Sequence, residues 1–295
     1  MRNHIVIAAI AVVVEGMSAS APAVTIYGIS TRNELVSFDS SSPNNLMQAT
    51  FVTGLSANEG LLGIDFRPNG GQLYALGSFG RLYTLNTTTG AATFVSSLFN
   101  QANGQPILLS GSEFGVDFNP VPDRLRITSN LGQNLRVNVS TGSTTVDGML
   151  NQPNGAPYIV ASAYTNSIAG ATSTTLYNID SLSNMLTIQN PPNNGTQVNV
   201  GMLGADVTAL AGMDILTVGS TNTAYAALQI AGTPGSRLAT INLATGAASF
   251  VGSIGQEQTS DSMAIRDIAV MPVPEPASMV ALGIGLAGAL RRKKK

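Results

Sequence analysis

One pattern, copied five times along the chain, limits what this polypeptide can fold into more than any other feature. Each copy ends in a short run of alternating apolar residues: Gln48–Leu55, Ala91–Leu98, Ser143–Leu150, Thr196–Leu203 and Ala247–Ile254. The run returns about every 50 residues, a period that marks a repeat architecture. Ahead of each lies a second such run: Glu34–Phe38, Arg81–Leu85, Asn134–Asn138, Met185–Gln189 and Arg237–Ile241. Ahead of those stand Ile26–Gly28, Leu73–Ala75, Leu125–Ile127, Leu176–Asn178 and Ala224–Ala226. Alternation with period two between Gly-, Ser-, Thr- and Asn-rich breaks predicts strands. Thr89-Gly90, Thr141-Gly142 and Thr245-Gly246 join the last two strands of three copies, the glycine supplying the positive φ of a tight hairpin.

The first strand of each copy decides the architecture. Copies two to five begin with Leu62–Phe66, Phe114–Phe118, Ala161–Tyr164 and Ala211–Ile215. The first copy has no such strand, yet an orphan of this type, Ile265–Val270, stands at the end. A ring accounts for both. The expected fold is all-β: a five-bladed β-propeller of four-stranded antiparallel blades, closed by the C-terminal strand completing the first blade. Blades in a ring leave only short edges. An open β-solenoid would have no use for the orphan strand.

Both ends read as export signals. Met1–His4 is basic, Ile5–Val14 is unbroken apolar sequence, and Ala21-Pro22-Ala23 is a small-x-small site. That order predicts a signal peptide over residues 1–23, cut by signal peptidase between Ala23 and Val24. The other end, residues 273–295, carries Pro274-Glu275-Pro276, an apolar run Met279–Leu290 and the basic stop Arg291–Lys295. The apolar run is about a dozen residues, short for a helix crossing a ~30 Å hydrocarbon core, and the basic end would stay cytoplasmic. A permanent tail anchor is the alternative. The three-part tail resembles the PEP-CTERM sorting signal of Gram-negative bacteria. That resemblance implies an exosortase reading Pro274, Glu275 and Pro276, transient inner-membrane attachment, and delivery to the periplasm, outer surface or extracellular matrix. Such systems are associated with exopolysaccharide and biofilm, which implies an extracellular polysaccharide or envelope protein as partner.

Between the signals lies the expected domain, residues 24–272. It retains 8 basic residues, all Arg, and 14 acidic ones, for a net charge near −6 against −2 for the whole chain. It lacks the basic face that nucleic acid requires. The chain has no Cys, its one His is His4, and its Lys residues all sit in the basic stop. Ser-His-Asp hydrolysis, thiolate chemistry, Schiff bases and a Walker phosphate loop are therefore excluded, and zinc and iron sites normally draw on His or Cys. Carboxylate chemistry and oxygen-ligated hard cations survive.

Glu113–Arg126, followed by Ser129-Asn130, Gly132–Arg136 and Asn138, resembles the family called domain of unknown function 4394, as do Thr174–Asp180 and Gln189–Gly195. The resemblance spans about Val24 to Val270. It implies a propeller-like repeat fold in exported or surface proteins and supplies no activity.

Four groups of residues are candidates for function. Asp65, Asp117, Asp214 and Asp267 read as one position of the first strand in four blades, with Ala163 in the remaining one. In a propeller that strand lines the axis, so the set either holds Ca²⁺ or Mg²⁺ or accepts hydrogen bonds that lock blades together. A residue repeated in a repeat fold favours the lock, and no cofactor is required. Asp123, Arg124, Arg126 and Arg136 concentrate charge in blade 3, as an Arg fork for a ligand carboxylate or as an internal lattice. Glu59 and Glu113 stand on loops before first strands, where a pair of acids could serve a glycosidase or simply be solvated. Tyr27, Tyr74, Tyr177 and Tyr225 recur at one strand position, either to stack on sugars or to fill the gaps between blades. The expected role is non-catalytic binding or scaffolding, with a carbohydrate-active enzyme using paired carboxylates as the competing class.

Overall fold

The computed structural model describes residues 23–153, 155–256 and 263–273. The expected signal peptide as far as residue 22, and the sorting motif Pro274, Glu275 and Pro276 with its tail, lie outside the described residues. Among the described residues twenty-one strands form five sheets. Blade 1 contains β1 (Thr25–Ser30), β2 (Glu34–Asp39) and β3 (Leu46–Phe51). Blade 2 contains β4 (Leu61–Phe66), β5 (Leu73–Gly77), β6 (Arg81–Leu85) and β7 (Ala92–Ser97). Blade 3 takes the two-residue β8 (Phe99–Asn100), then β9 (Phe114–Asn119), β10 (Arg124–Ser129), β11 (Asn134–Val137) and β12 (Ser143–Val146). Blade 4 holds β13 (Ile159–Tyr164), β14 (Leu176–Asp180), β15 (Met185–Gln189) and β16 (Gln197–Met202). Blade 5 holds β17 (Val207–Val218), β18 (Thr221–Ile230), β19 (Arg237–Ile241) and β20 (Ala248–Ser253), and β21 (Ile265–Val270) returns to blade 1.

The ring closes as the orphan strand predicted. β21 runs antiparallel to β1, with Ile26 opposite Val270, Tyr27 opposite Ala269 and Gly28 opposite Ile268. The N-terminal strand thus has a partner on each edge, and β21 takes the axial place. Blade 3 departs from the four-stranded plan: β8 adds in parallel to the outer edge of β12, with Phe99 opposite Ser143.

Neighbouring blades are fastened at the rim by backbone bonds. The Ala92 N–H donates to Thr53 O (2.8 Å), Asn151 N–H to Gly195 O (2.9 Å), Ala248 N–H to Leu203 O (3.0 Å) and Gly255 N–H to Pro43 O (3.0 Å). Between blades 2 and 3 the joint is β8 itself, which follows β7 of blade 2 and pairs with blade 3, Phe99 N–H donating to Gly142 O (3.0 Å). One of these joints explains its glycine twice over: Gly142 has φ +80°, and a Cβ there would collide with the Ser97 carbonyl of blade 2. The three Thr-Gly turns share a further residue. Asn86, Asn138 and Asn242 each turn a side-chain oxygen onto backbone N–H groups two or three residues ahead, an Asx turn that shapes the hairpin.

The apolar core is divided among the seams. Separate buried clusters join blades 1 and 2 (Ile29 and Leu35 with Ile64 and Tyr83), 2 and 3 (Tyr74 and Leu76 with Val116 and Phe118), 4 and 5 (Ala163 and Ile179 with Met213 and Ala226), and 5 and 1 (Tyr225 and Leu238 with Ile26 and Ile268). Removing residues 265–273 would strip one edge of β1 and uncover Ile26 and Ile29, both fully buried. The shortened chain is expected to lose its single cooperative melting transition in calorimetry; an unchanged melting temperature would refute ring closure as the source of stability.

Candidate functional site

The axis is built by close approach of innermost strands. Cβ atoms added at Gly63, Gly115 and Gly212 would meet Val116, Ser162 and Asp267 of the next blade's inner strand at or below 3 Å, so glycine there lets strands nearly touch. Two residues beyond each glycine is an aspartate that reaches across the same seam. Asp65 accepts from the Phe118 N–H (2.7 Å), Asp117 from the Tyr164 N–H (3.1 Å) and Asp214 from the Val270 N–H (2.6 Å).

Asp267 does the same by another register. Asp65, Asp117 and Asp214 lie opposite Tyr74, Arg126 and Tyr225 of the second strands, and Ala163 lies opposite Tyr177. Ala269, not Asp267, fills that place opposite Tyr27, and Asp267 stands two residues earlier, opposite Ile29. The expectation that all four aspartates share one position is corrected accordingly. A shift of two keeps the side chain on the same face of the strand, and Asp267 accepts from the Ile64 N–H of blade 2 (2.9 Å). Four seams therefore carry a carboxyl link. The seam between blades 4 and 5, at Ala163, is apolar.

All four carboxyls are buried, and oxygens of Asp65, Asp117 and Asp214 lie within 4.8 Å of one another. Burial, helped by the other carboxylates, pushes Asp65 and Asp117 well above the usual carboxylate range. Burial does the same to Asp267, against the Ile64 and Ile268 N–H donors that favour its charged form. Asp214 is pushed up by burial to about 6, against two backbone N–H donors that favour its charged form. A cavity at one mouth of the axis, lined by Phe66, Ser167, Thr217 and Val273, reaches Asp65 and Asp214.

The tyrosines pack between blades. Tyr27 meets Phe66 of blade 2 edge to face at 5.6 Å, and Tyr74 meets Phe118 of blade 3 at 5.3 Å. Tyr177 packs against the cluster shared with blade 5, and Tyr225 lies within the one shared with blade 1. Blade 3 has Arg126 at this place, and the aromatic partner on blade 4 becomes Tyr164, whose hydroxyl accepts from Arg126 Nε (3.1 Å).

That exchange makes the seam between blades 3 and 4 polar. Arg126 Nη1 bonds Asn134 and Asp147, both at 2.7 Å, and Nη2 bonds Asn193 (3.0 Å). Asn134 Nδ2 reaches the Pro192 carbonyl (3.1 Å), and Thr128, Ser162 and Asn178 form a hydroxyl–amide chain behind them. Arg126 is 1% exposed, so of the expected fork it is an internal brace and not a ligand contact. Arg124 and Arg136 remain at the surface, lining a groove with Gln101, Asn138, Ser143 and Thr145. Sequence reading passed over Asn193 and Pro192, which sit in a loop that looks like a plain polar turn.

Each of the paired-acid candidates is already engaged. Glu59 is buried and accepts from the Tyr83 hydroxyl (2.6 Å) and the Phe79 N–H (3.2 Å). Glu113 pairs with Arg266 at 3.1 Å, and burial raises its pKa. At the expected cleavage point Ala23 is exposed and Val24 is buried, its N–H on Ser40 Oγ (3.1 Å).

A closed five-bladed propeller with carboxyl links between blades is thus the class of the protein. Residues 34–269 match the family described as Domain of unknown function (DUF4394), and the chain belongs to that family. Residues 272–294 match the PEP-CTERM protein-sorting motif. Signals of this kind are processed by an exosortase in Gram-negative bacteria, so the chain is an exported protein. No curated protein matches the chain. Among solved structures it is similar to a protein of unknown function from Bacteroides thetaiotaomicron, at 15% identity over 86% of this chain and 68% of that one, TM-score 0.46. It is also similar to a chain of a nidogen/laminin complex (10% identity, 85% and 98%, TM-score 0.47) and to an auxiliary nutrient binding protein from Bacteroides ovatus (14%, 68% and 55%, TM-score 0.40). At these identities none of the three bears on what this chain does.

The axial carboxyls give stability an unusual pH dependence. A carboxyl whose pKa is higher folded than unfolded holds more protons in the folded state, so stability falls as pH rises between the two values. Asp214, moving from 3.8 to about 6, contributes on the order of 3 kcal/mol at roughly 1.4 kcal/mol per unit. Melting temperature is expected to decline from pH 4 through pH 6 and above, and Asp214→Asn to flatten part of the decline; a rise over that range would contradict the assignment. Separately, Arg126→Leu, which leaves Asn193 and Asn134 short of a donor in the seam while Asp147 keeps Arg136, is expected to cost about 1–3 kcal/mol in denaturant unfolding.

Proposed function

We propose that this exported ring is a non-catalytic binding or scaffolding component of the extracellular matrix, engaging polysaccharide or an envelope partner through its outer surface. The observation that carries the reading is the commitment of its acids. Asp65, Asp117, Asp214 and Asp267 are buried against neighbouring-blade N–H groups, Glu59 is buried under Tyr83, and Glu113 is paired with Arg266. A glycosidase needs two free carboxyl groups facing one solvent-filled cleft, about 5–10 Å apart. Asp65 and Asp214 share a cavity, but their oxygens approach within 4.8 Å and each carboxyl is held by a backbone N–H of the next blade. A rigid ring with a polar rim is suited instead to several weak contacts acting together.

The test is incubation of the exported protein with the exopolysaccharide of a PEP-CTERM-bearing host. Retention on the sedimented polymer without release of reducing sugar is expected. Sugar release that disappears in Glu113→Gln would replace the reading with the enzyme. The binding role requires no cofactor, so EDTA is expected to leave retention and melting temperature unchanged. A fall in melting temperature reversed by Ca²⁺ would instead make Asp65, Asp117 and Asp214 a cation site.

A further inference from the structure

We propose that the outer face of blade 3 binds a carboxylate-bearing polysaccharide, a uronate polymer, in the groove between Arg124 and Arg136. The inference rests on the binding role above and names the chemistry of its ligand. It starts from an imbalance of charge. Arg126 lies opposite Arg136 across β10 and β11, and Thr145 lies opposite Arg136 across β11 and β12. Period-two alternation puts Arg124 on the same face as Arg126. Three guanidiniums thus share one face of β10–β12. The carboxylate that serves them is Asp147, just beyond β12, which takes Arg126 Nη1 (2.7 Å) and Arg136 Nε and Nη2 (2.7 and 2.9 Å).

Arg124 is left over. Its Nη1 bonds only the carbonyls of Pro122 (3.3 Å) and Asp123 (3.1 Å). The Asp123 carboxylate is already held by Arg67 through two bonds, at 2.9 and 2.5 Å. Among the described residues Arg32, Arg67, Arg81, Arg126, Arg136 and Arg266 each have a carboxylate within ion-pair distance. Arg237 has none but lies over the Phe250 ring at 5.0 Å, and Arg124, which feels the Asp123 charge only beyond that distance, faces the groove.

The other groove residues add to the excess of donors. Gln101 Oε1 accepts the Thr145 hydroxyl (3.1 Å), and Asn138 Oδ1 accepts the Ser140 N–H (3.2 Å). Both amides therefore spend their oxygen inside the protein and keep their NH₂ groups for a ligand. The bidentate grip of Asp147 uses Nε and Nη2 of Arg136, leaving Nη1 as a further donor. A site of guanidinium and amide donors, with no acid in its lining, fits a ligand that brings oxygen acceptors and negative charge. In a polysaccharide matrix that ligand is a uronate: the carboxylate sits between the arginines, and the ring hydroxyls meet Gln101, Asn138, Ser143 and Thr145.

Calorimetric titration of the exported protein with oligogalacturonate, its carboxyl-reduced counterpart and inorganic phosphate tests this. Oligogalacturonate is expected to bind. The reduced oligomer should bind at least about tenfold more weakly, the loss of one charge-assisted pair. Phosphate should likewise bind about tenfold more weakly, because it keeps the charge but has no ring hydroxyls for Gln101, Asn138, Ser143 and Thr145. Arg124→Gln should weaken oligogalacturonate about tenfold with no change in melting temperature, while Arg237→Gln, on blade 5, should bind as the parent does. Equal binding of the reduced oligomer, phosphate binding as tight as oligogalacturonate, or an Arg124→Gln protein that binds normally would each overturn the groove. Arg124→Gln that still sediments with the native matrix removes the groove and leaves the matrix role standing; a parent protein that does not sediment removes the role whatever the titration shows.

Discussion

The structure depends on one antiparallel pairing, that of β1 with β21. The chain has no cysteine, so no covalent link closes the ring, and an open row of five blades would expose an inner strand at one end and a blade face at the other. Pairing the two ends of the domain in one sheet removes both exposures at once. It also hands the axial position of blade 1 to the last strand of the chain, so the inner layer is complete only when that strand is in place. Backbone joints at the rim and carboxyl links near the axis then hold blades that each contribute only half of an apolar core.

The seams are not equivalent, and their differences give the molecule its chemistry. Four are filled by apolar side chains, while the seam between blades 3 and 4 is filled by Arg126, Asn134, Asn193, Thr128, Ser162 and Asn178. The stretches Glu113–Arg126, Gly132–Arg136 and Gln189–Gly195, which carry the family resemblance, converge there. Their common purpose on this geometry is structural: they build a hydrogen-bonded seam. The same seam presents guanidinium charge on the outer face of blade 3, since Asp147 is shared by two arginines and Arg124 goes without a carboxylate.

Much of the fold was legible because strand alternation, turn glycines and the orphan strand are local signals that repeat. The place of each strand in its blade could be read from order alone. Register could not. Asp267 looks like a fourth copy of Asp65, but pairing with β1 slides it two residues, and only the cross-strand partner reveals that Ala269 is the true equivalent. The fate of Arg126 was hidden for a related reason. Its burial depends on Tyr164 and Asn193, 38 and 67 residues away, and a charged residue in a strand gives no local sign of facing another blade. The asparagines of the Asn-x-x-Thr-Gly turns were readable in principle, since Asn86, Asn138 and Asn242 stand four residues before the turn glycines, but the glycine drew the attention.

Ala163 gives the ring one place that differs from the rest. Where other blades set a buried carboxyl against their neighbour, the inner strands of blades 4 and 5 meet through apolar side chains, Ala161, Ala163, Met213 and Ile215 among them, with uncharged Asn166–Asn222 and Ser167–Thr217 bonds beside them. Among the described residues the buried inner layer of that contact carries no titratable group. A rise in pH sets charge on the other four buried joints, so the weakening it brings falls on every seam but this one.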